Sequence, residues 1–280
     1  VTRNPTNPTC APPFSYPTTG NSRLQCRYDF ASQIETIPET EKTNIVAKAT
    51  WRISADHEAF LEGGYFKGNY IYRVSPTPVI GSDGNPSLGP TSAFYPAAFI
   101  ASVGGDPTKP VDFLWRMKEF GPRTSEADND AYRAVGGLQG TIFKNWDYAV
   151  AFNWTENEQS ESNPSGYFRE SALFPLIATG VVNPFGDNTE AVRNQVLATQ
   201  VSGDIRKSTA TNYGFDGKVS TELFKLPAGS VAMALGGDWH KEELDIINTE
   251  LYQSGDIIGG SGAIPSLEGA NRDVWAIYGE

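Results

Sequence analysis

The sequence predicts an all-β chain, an antiparallel up-and-down transmembrane β-barrel wall of about seven strands with its long loops on the extracellular side. Three observations lead there. In Trp146-Asp147-Tyr148-Ala149-Val150-Ala151-Phe152-Asn153-Trp154 every second residue is large and apolar while the others are small or polar, the period of a strand whose two faces meet different surroundings. The apolar set opens and closes on Trp, as aromatic girdles bracket the lipid-facing band of a membrane barrel, and its eight steps cover about 20 Å of depth at a tilt near 40°. The third observation is the spacing of the turns. Connections of about four residues alternate with loops of about 20 to 40, the asymmetry of barrels with short periplasmic turns and long outer loops.

The elements follow in order. Residues 1–40 read as loop, with Pro5, Pro8, Pro12, Pro13, Pro17 and Pro38. From Thr43, Ile45, Ala47, Ala49, Trp51 and Ile53 alternate with Val46, Lys48, Thr50 and Arg52 as a first strand. A turn at 55–58 leads to a second strand over 59–74, whose parity conflicts: Phe60 and Phe66 share a face with Glu62, and Gly63-Gly64 suggests a bulge that switches register. Residues 75–110, rich in Pro and Gly, read as one long loop. Over 112–131 the register is undefined, with a break at Gly121-Pro122 and an acidic island of Glu126, Asp128 and Asp130; alternation resumes over 132–142. A turn at 143–146 opens the Trp146 strand. Residues 161–203 read as loop, with a short helix over 189–199 capped by Asp187 or Asn188. Two further strands, carrying Tyr213, Phe215, Val219 and Leu223 and then Val231, Met233, Leu235 and Trp239, flank a turn at 226–229. Residues 249–270 form a loop with Gly259-Gly260-Ser261-Gly262 at its tip, and a last strand starts near Arg272.

Composition excludes several functions. Among 280 residues there is no apolar run of the length a membrane-spanning helix needs, and the mean hydropathy is −0.37. A formal charge of −11 argues against nucleic acid as a partner. Two His, two Met and two Cys leave little for metal, redox or nucleophilic chemistry, and no nucleophile elbow or phosphate loop is present; the chain is read as non-enzymatic, with no cofactor and no metal. Glu126, Asp128 and Asp130 lack the Gly and distal Glu of a calcium loop. Cys10 and Cys26, in a Pro-rich setting, are read as a disulfide closing a loop of about 16 residues, worth roughly 3 kcal/mol and suited to an oxidising compartment; two unrelated thiols are the alternative. The start without Met and the stop inside a strand at Ile277-Tyr278-Gly279-Glu280 suggest a piece of something longer.

Several local features, taken in order, resemble the middle of the barrel of a TonB-dependent outer-membrane receptor. They are the Cys10 to Cys26 loop before the first strand, Gly136-Gly137-Leu138-Gln139-Gly140 leading into Trp146-Asp147-Tyr148, Asn183-Pro184-Phe185-Gly186, Leu226-Pro227-Ala228-Gly229 followed by Leu235-Gly236-Gly237-Asp238, and Val274-Trp275-Ala276-Ile277-Tyr278-Gly279-Glu280. The resemblance covers nearly the whole chain. It implies that residues 1–280 belong to one barrel domain of about 22 strands in a bacterial outer membrane, with the plug domain and the barrel's C-terminal strand outside the piece. It further implies outer-membrane lipid as a partner, coupling to the TonB complex through N-terminal parts, and active uptake of a small molecule or glycan: siderophore-bound iron, a vitamin or a sugar chain.

Loop aromatics and a neighbouring cation, Phe94, Tyr95, Phe99, Tyr167, Phe168 and Arg169, are the candidate substrate contacts. Lys48, Arg52, Glu62, Arg133, Asp216, Lys218 and Glu222 are the candidate lumen-facing residues, a wetted inner wall being the simpler account of any one. Two other functions fit the same pattern: a passive porin or channel, and a secreted carbohydrate-binding or adhesive β-protein.

Overall fold

The computed structural model describes residues 9–10, 12–20, 23–79, 86–260 and 262–280. The loop reading of residues 1–8, the 80–85 part of the 75–110 loop and Ser261 in the glycine-rich tip lie outside them. Seven long strands make one antiparallel sheet: β1 (Glu39–Arg52), β2 (His57–Val74), β3 (Arg123–Ile142), β4 (Trp146–Phe168), β5 (Gln200–Leu226), β6 (Gly229–Asn248) and β7 (Leu267–Gly279). Each pairs with its neighbours in chain order. The sheet is open, with β1 and β7 as its edges, so these strands do not close into a barrel.

Register brings the apolar residues of all seven strands onto one face. Directly opposed residues of an antiparallel pair share a face, and one row of such pairs runs Trp51, Ala59, Leu138, Val150, Gly217, Gly237, Ile277. On the same face toward the loop end stand Ile45, Tyr65, Tyr132, Trp154, Tyr213, Trp239 and Trp275. Beyond them that face turns charged, with Lys67 opposite Asp130 and Asp130 opposite Glu158. The other face carries Lys48, Glu62, Arg133, Asn153, Asp216 and Asp238. Among the described residues no second layer covers the apolar face: Trp51 and Trp275 are each 72% exposed, Leu61 60% and Ile277 81%.

Three short connections lie at one end. The first occupies 53–56, two residues earlier than expected, because the Ile53 and Ser54 N–H groups both donate to the His57 carbonyl. The second is Phe143-Lys144-Asn145, with positive φ at Phe143 and Lys144. The third is Pro227-Ala228, where Pro presets the backbone angle a tight turn needs. The last rung is set progressively further from the row just described: one residue at Arg52–Glu58, four at Ile142–Trp146 and eight or nine at Leu226–Gly229.

The strands extend well past their alternating parts. Residues 123–131, expected to be irregular, continue β3 in unbroken register with β2, while its pairing with β4 shifts once, between Glu126 and Thr124; β4 itself runs through 161–168, where a loop was expected. Beyond the aromatic row both faces are polar, so backbone pairing persists while the hydrophobic period vanishes. β2 holds one register along its length, so Gly63-Gly64 is no bulge; Phe60 and Phe66 lie on the polar face. Their rings cover glycines there: a Cβ on Gly64 would lie 2.8 Å from the Phe66 ring, and one on Gly137 2.5 Å from the Phe60 ring.

The long connections are not irregular. They carry four short helices, α1 (Ala97–Ser102), α2 (Glu170–Ala178), α3 (Glu190–Leu197) and α4 (Glu250–Ser254), and two-residue strand pairs. α3 is the helix expected, but its cap is Thr189, whose side chain accepts from the Val192 N–H. The final strand begins at Leu267, ahead of Arg272. Within the N-terminal segment expected to be loop, Ser15–Gly20 and Arg23–Tyr28 form a hairpin. Cys10 and Cys26 are disulfide-bonded there, with Cα atoms 5.3 Å apart.

Candidate functional site

Connections 75–122, 169–199 and 249–266 all leave the same end of the sheet and share one apolar core. Val79, Leu88, Phe113, Trp115 and Met117 from the first, Phe168 at the tip of β4, Leu173, Ile177, Val182 and Val196 from the second and Ile258 from the third are all buried together. Phe113, Trp115 and Met117 alternate and Leu173 and Ile177 stand one helical turn apart on α2, but each such run is too short to bury itself, so these residues satisfy one another only when three loops meet, and the result is a folded cap. Polar ties cross it. Asn188 donates to Glu119 at 2.8 Å, Ser92 to the Gly180 carbonyl at 3.0 Å, and the Ile258 N–H to the Phe168 carbonyl at 2.9 Å. Ser171 donates both its N–H and its hydroxyl to Asp256.

Two arginines fasten the cap to its base. Arg123, the first residue of β3, donates to the Ser75 carbonyl at 3.0 Å and the Gly259 carbonyl at 2.8 Å, and its guanidinium lies 5.8 Å from the Tyr167 ring. Arg116 donates to Pro76 O at 2.9 Å and lies 5.1 Å from the Tyr28 ring of the disulfide-bonded hairpin. Burial, with Arg123 nearby, pulls Arg116 below the usual guanidinium pKa, and burial pushes the Tyr28 phenol up. Lys118 over the Phe14 ring at 5.0 Å completes the docking of the hairpin.

The candidate contact residues divide accordingly. Phe168 is fully buried and serves the cap's core, which corrects its reading as an exposed contact. Phe94 and Tyr95 pack partly buried against that core, and the Tyr95 hydroxyl donates to the Lys109 carbonyl. Tyr167 belongs to a second cluster with Val201, Ile205, Tyr252 and Ile257, and its hydroxyl lies 3.1 Å from Ser125 Oγ. Phe99 is half-buried on α1, and only Arg169 is exposed. Residues expected to converge on a surface thus meet mainly inside the cap.

Lys48, Arg52, Glu62, Arg133, Asp216, Lys218 and Glu222 share the polar face of the sheet by register. Glu62 lies between Lys48 at 3.0 Å and Arg133 at 3.8 Å, a cross-strand group over three strands. Nearer the cap, Arg206 meets Glu161 at 2.6 Å and Arg272 meets Glu242 at 2.5 Å. The exposed pairs among these contribute little stability, whereas Arg206–Glu161 is partly buried; together they make a wall of alternating sign. At the turn end the face holds a depression of about 470 Å³ lined by Arg52, Asp56, Glu58, Asp147 and Lys218.

Glu126, Asp128 and Asp130 lie on the opposite face above the aromatic row. Asn69 donates to Glu126 and Asp128, and the Tyr65 hydroxyl donates to Asp130. Among the described residues no group of three or more His, Cys, Asp or Glu is placed to hold a metal ion. Four residues that the sequence reading left without a role are Phe60, Phe66, Tyr70 and Tyr72, all on the polar face of β2. The signal for them was the repeat Gly64-Tyr65-Phe66 and Gly68-Asn69-Tyr70.

No family model, curated protein or solved structure matches this chain.

Proposed function

We propose that this chain is wall and cap of a β-barrel in a bacterial outer membrane, part of a TonB-dependent receptor for active uptake of a scarce nutrient. The observation that carries it is the uncovered apolar face. About ten large apolar side chains there would each forgo roughly 1.5–3 kcal/mol in water, or ~15–30 kcal/mol together, against a typical folding stability of about 5–15 kcal/mol. A hydrocarbon surrounding removes that cost. The secreted adhesive alternative would keep the band in water and is disfavoured for that reason.

Two geometric facts support the same reading. The turn-end rungs shift by seven residues (one to eight) over four strand spacings, ~23 Å against ~19 Å. The aromatic row slants the same way, from six residues beyond the Leu138–Val150 row at Tyr65 to two at Trp275. If both mark membrane boundaries, the strands tilt by roughly 30° to 50°, the range of closed barrels. The cap then stands outside, with the disulfide in an oxidising setting, and the polar face lines the lumen. Folded loops over the mouth favour a receptor that captures its ligand over an open porin.

The test is fractionation with cysteine scanning of residues 146–155 in the full-length protein. Outer-membrane recovery is expected, with odd positions reacting with a water-soluble maleimide and even ones protected. Recovery in the soluble fraction, or uniform labelling, would refute the membrane reading. Uptake that persists in a strain lacking TonB would leave the barrel and remove the receptor.

A further inference from the structure

We infer that the polar face of β2 is a track for a linear oligosaccharide. The inference rests on the reading of that face as the lumen wall, and deepens it by assigning the substrate class.

Phe60, Phe66, Tyr70 and Tyr72 occupy even positions of one strand, on the face that carries Glu58 and Glu62. They run from near the turn end to near the cap, twelve residue steps or about 40 Å. Three of the rings lie against glycines. The Phe66 ring covers Gly64, the Tyr70 ring covers Gly68, where a Cβ would fall 2.7 Å from a ring carbon, and the Phe60 ring covers Gly137 on the neighbouring strand. In each case outer ring atoms occupy the space a side chain would take, which holds the ring close against the wall. Tyr70 and Tyr72 continue the series as near-parallel rings, 6.4 Å apart at 14°. Packing over glycine accounts singly for Phe60, Phe66 and Tyr70 but not for Tyr72, and it does not account for four rings in file on a wetted face.

What lies between the rings narrows the ligand. Lys48 lies over the Phe60 ring at 5.9 Å and Lys42 over the Tyr70 ring at 5.4 Å, flexible amines that would swing aside from the rings to reach a ligand's hydroxyls. Glu62, held by Lys48 and Arg133, stands in the interval between Phe60 and Phe66. Gln139, which donates to Glu58 at 2.9 Å, adds an amide beside Phe60. Flat apolar plates thus alternate with donors and acceptors of both signs. A charged ligand would call for an excess of one sign, and a lipid would have no use for the polar intervals. A sugar chain has what the track offers: C–H faces that stack on rings, hydroxyls that bond to amines, amides and carboxylates, no net charge, and an extended length.

The test uses the full-length protein in detergent micelles and three linear hexasaccharides, of α-1,4-glucose, β-1,4-glucose and β-1,4-xylose, titrated calorimetrically. Binding of at least one is expected. Phe60→Leu, Phe66→Leu and Tyr70→Leu keep an apolar cover over each glycine and remove the plate. Each should weaken binding about threefold to tenfold with little change in thermal unfolding, while Phe66→Tyr retains affinity. Wild-type protein that binds none of the three at millimolar concentration, or leucine variants that bind like wild type, would overturn the track. That failure in a protein shown to reside in the outer membrane leaves the receptor reading intact; recovery of the protein as a soluble species removes both.

Discussion

Val150 offers the sharpest measure of what surrounds the apolar face. It stands four residues from Trp146 and four from Trp154, so on the proposed membrane reading, at ~3.3 Å per residue and a tilt near 40°, it would lie about 10 Å from either boundary, at mid-depth. Its side chain is 45% exposed and opposed by Leu138 and Gly217. Arg at the bilayer midplane costs about 2–4 kcal/mol on a barrel's outer surface, so Val150→Arg should shift the unfolding equilibrium by a factor of about 30 to 900. The same change in water, at a surface position, would fall within about 0.5 kcal/mol. Ala151→Arg is the control: one residue on, it points to the polar face opposite Asp216, and there the change should be close to neutral. The assay is equilibrium unfolding of the protein in phospholipid vesicles, followed by tryptophan fluorescence. A neutral Val150→Arg, or equal costs for the two variants, would refute the assignment of faces.

Three further outcomes are expected. Cys10→Ser should release a closure worth about 3 kcal/mol, loosening the hairpin that docks on Arg116 and Lys118; limited proteolysis should cut within 12–30, and unchanged protection would contradict the docking. Phe168→Ala should cost the cap about 3–5 kcal/mol, read as faster amide exchange across 75–122 and 169–199 with exchange in the seven-stranded sheet unaltered. Gly166→Ala should destabilise the cap end, because Gly166 has φ +79° and its Cβ would meet the Pro122 carbonyl, whereas Gly63→Ala, with open space around it, should be tolerated; equal melting temperatures would refute the contrast.

How much of this was legible in the sequence follows from where its faces differ. Between Trp146 and Trp154, or Tyr213 and Val219, one face is apolar and the other polar, and the period reads directly. From Glu156 to Ser165 both faces meet water, so Glu, Asn, Gln and Ser fall on either side and the sequence resembles a loop although the backbone stays paired. The same blindness hid the first third of β3, where Glu126, Asp128 and Asp130 alternate with Ser125, Ala127 and Asn129. Parity misled at Phe60 and Phe66 because apolar was equated with the apolar face, whereas those rings pack over glycines on the wet one. The cap was illegible for another reason. Val79, Met117, Ile177, Val182 and Ile258 are spread over three connections with no period, and only their meeting makes a core. Phe168 belonged to that core, so an aromatic residue next to a loop was taken for a contact.

The open edges lead to one more prediction, about residues 1–280 by themselves. About nine to eleven residues of a strand lie within a bilayer, and an edge strand leaves roughly half of their N–H and C=O groups unpaired, about ten groups on β1 and as many on β7. Each costs several kcal/mol in hydrocarbon, so two bare edges would cost tens of kcal/mol. The apolar band would gain only about 15–30 kcal/mol on entering lipid. On the membrane reading the seven strands therefore would not enter a bilayer as a bare monomer; further strands, from the same chain or another, would have to meet both Glu39–Arg52 and Leu267–Gly279. Refolding residues 1–280 alone into lipid vesicles should yield either no protease-protected species or an assembly of copies that pairs the edges. A protected monomer, shown by crosslinking to have a single chain, would mean that the edges are satisfied some other way, and the wall reading would have to be abandoned.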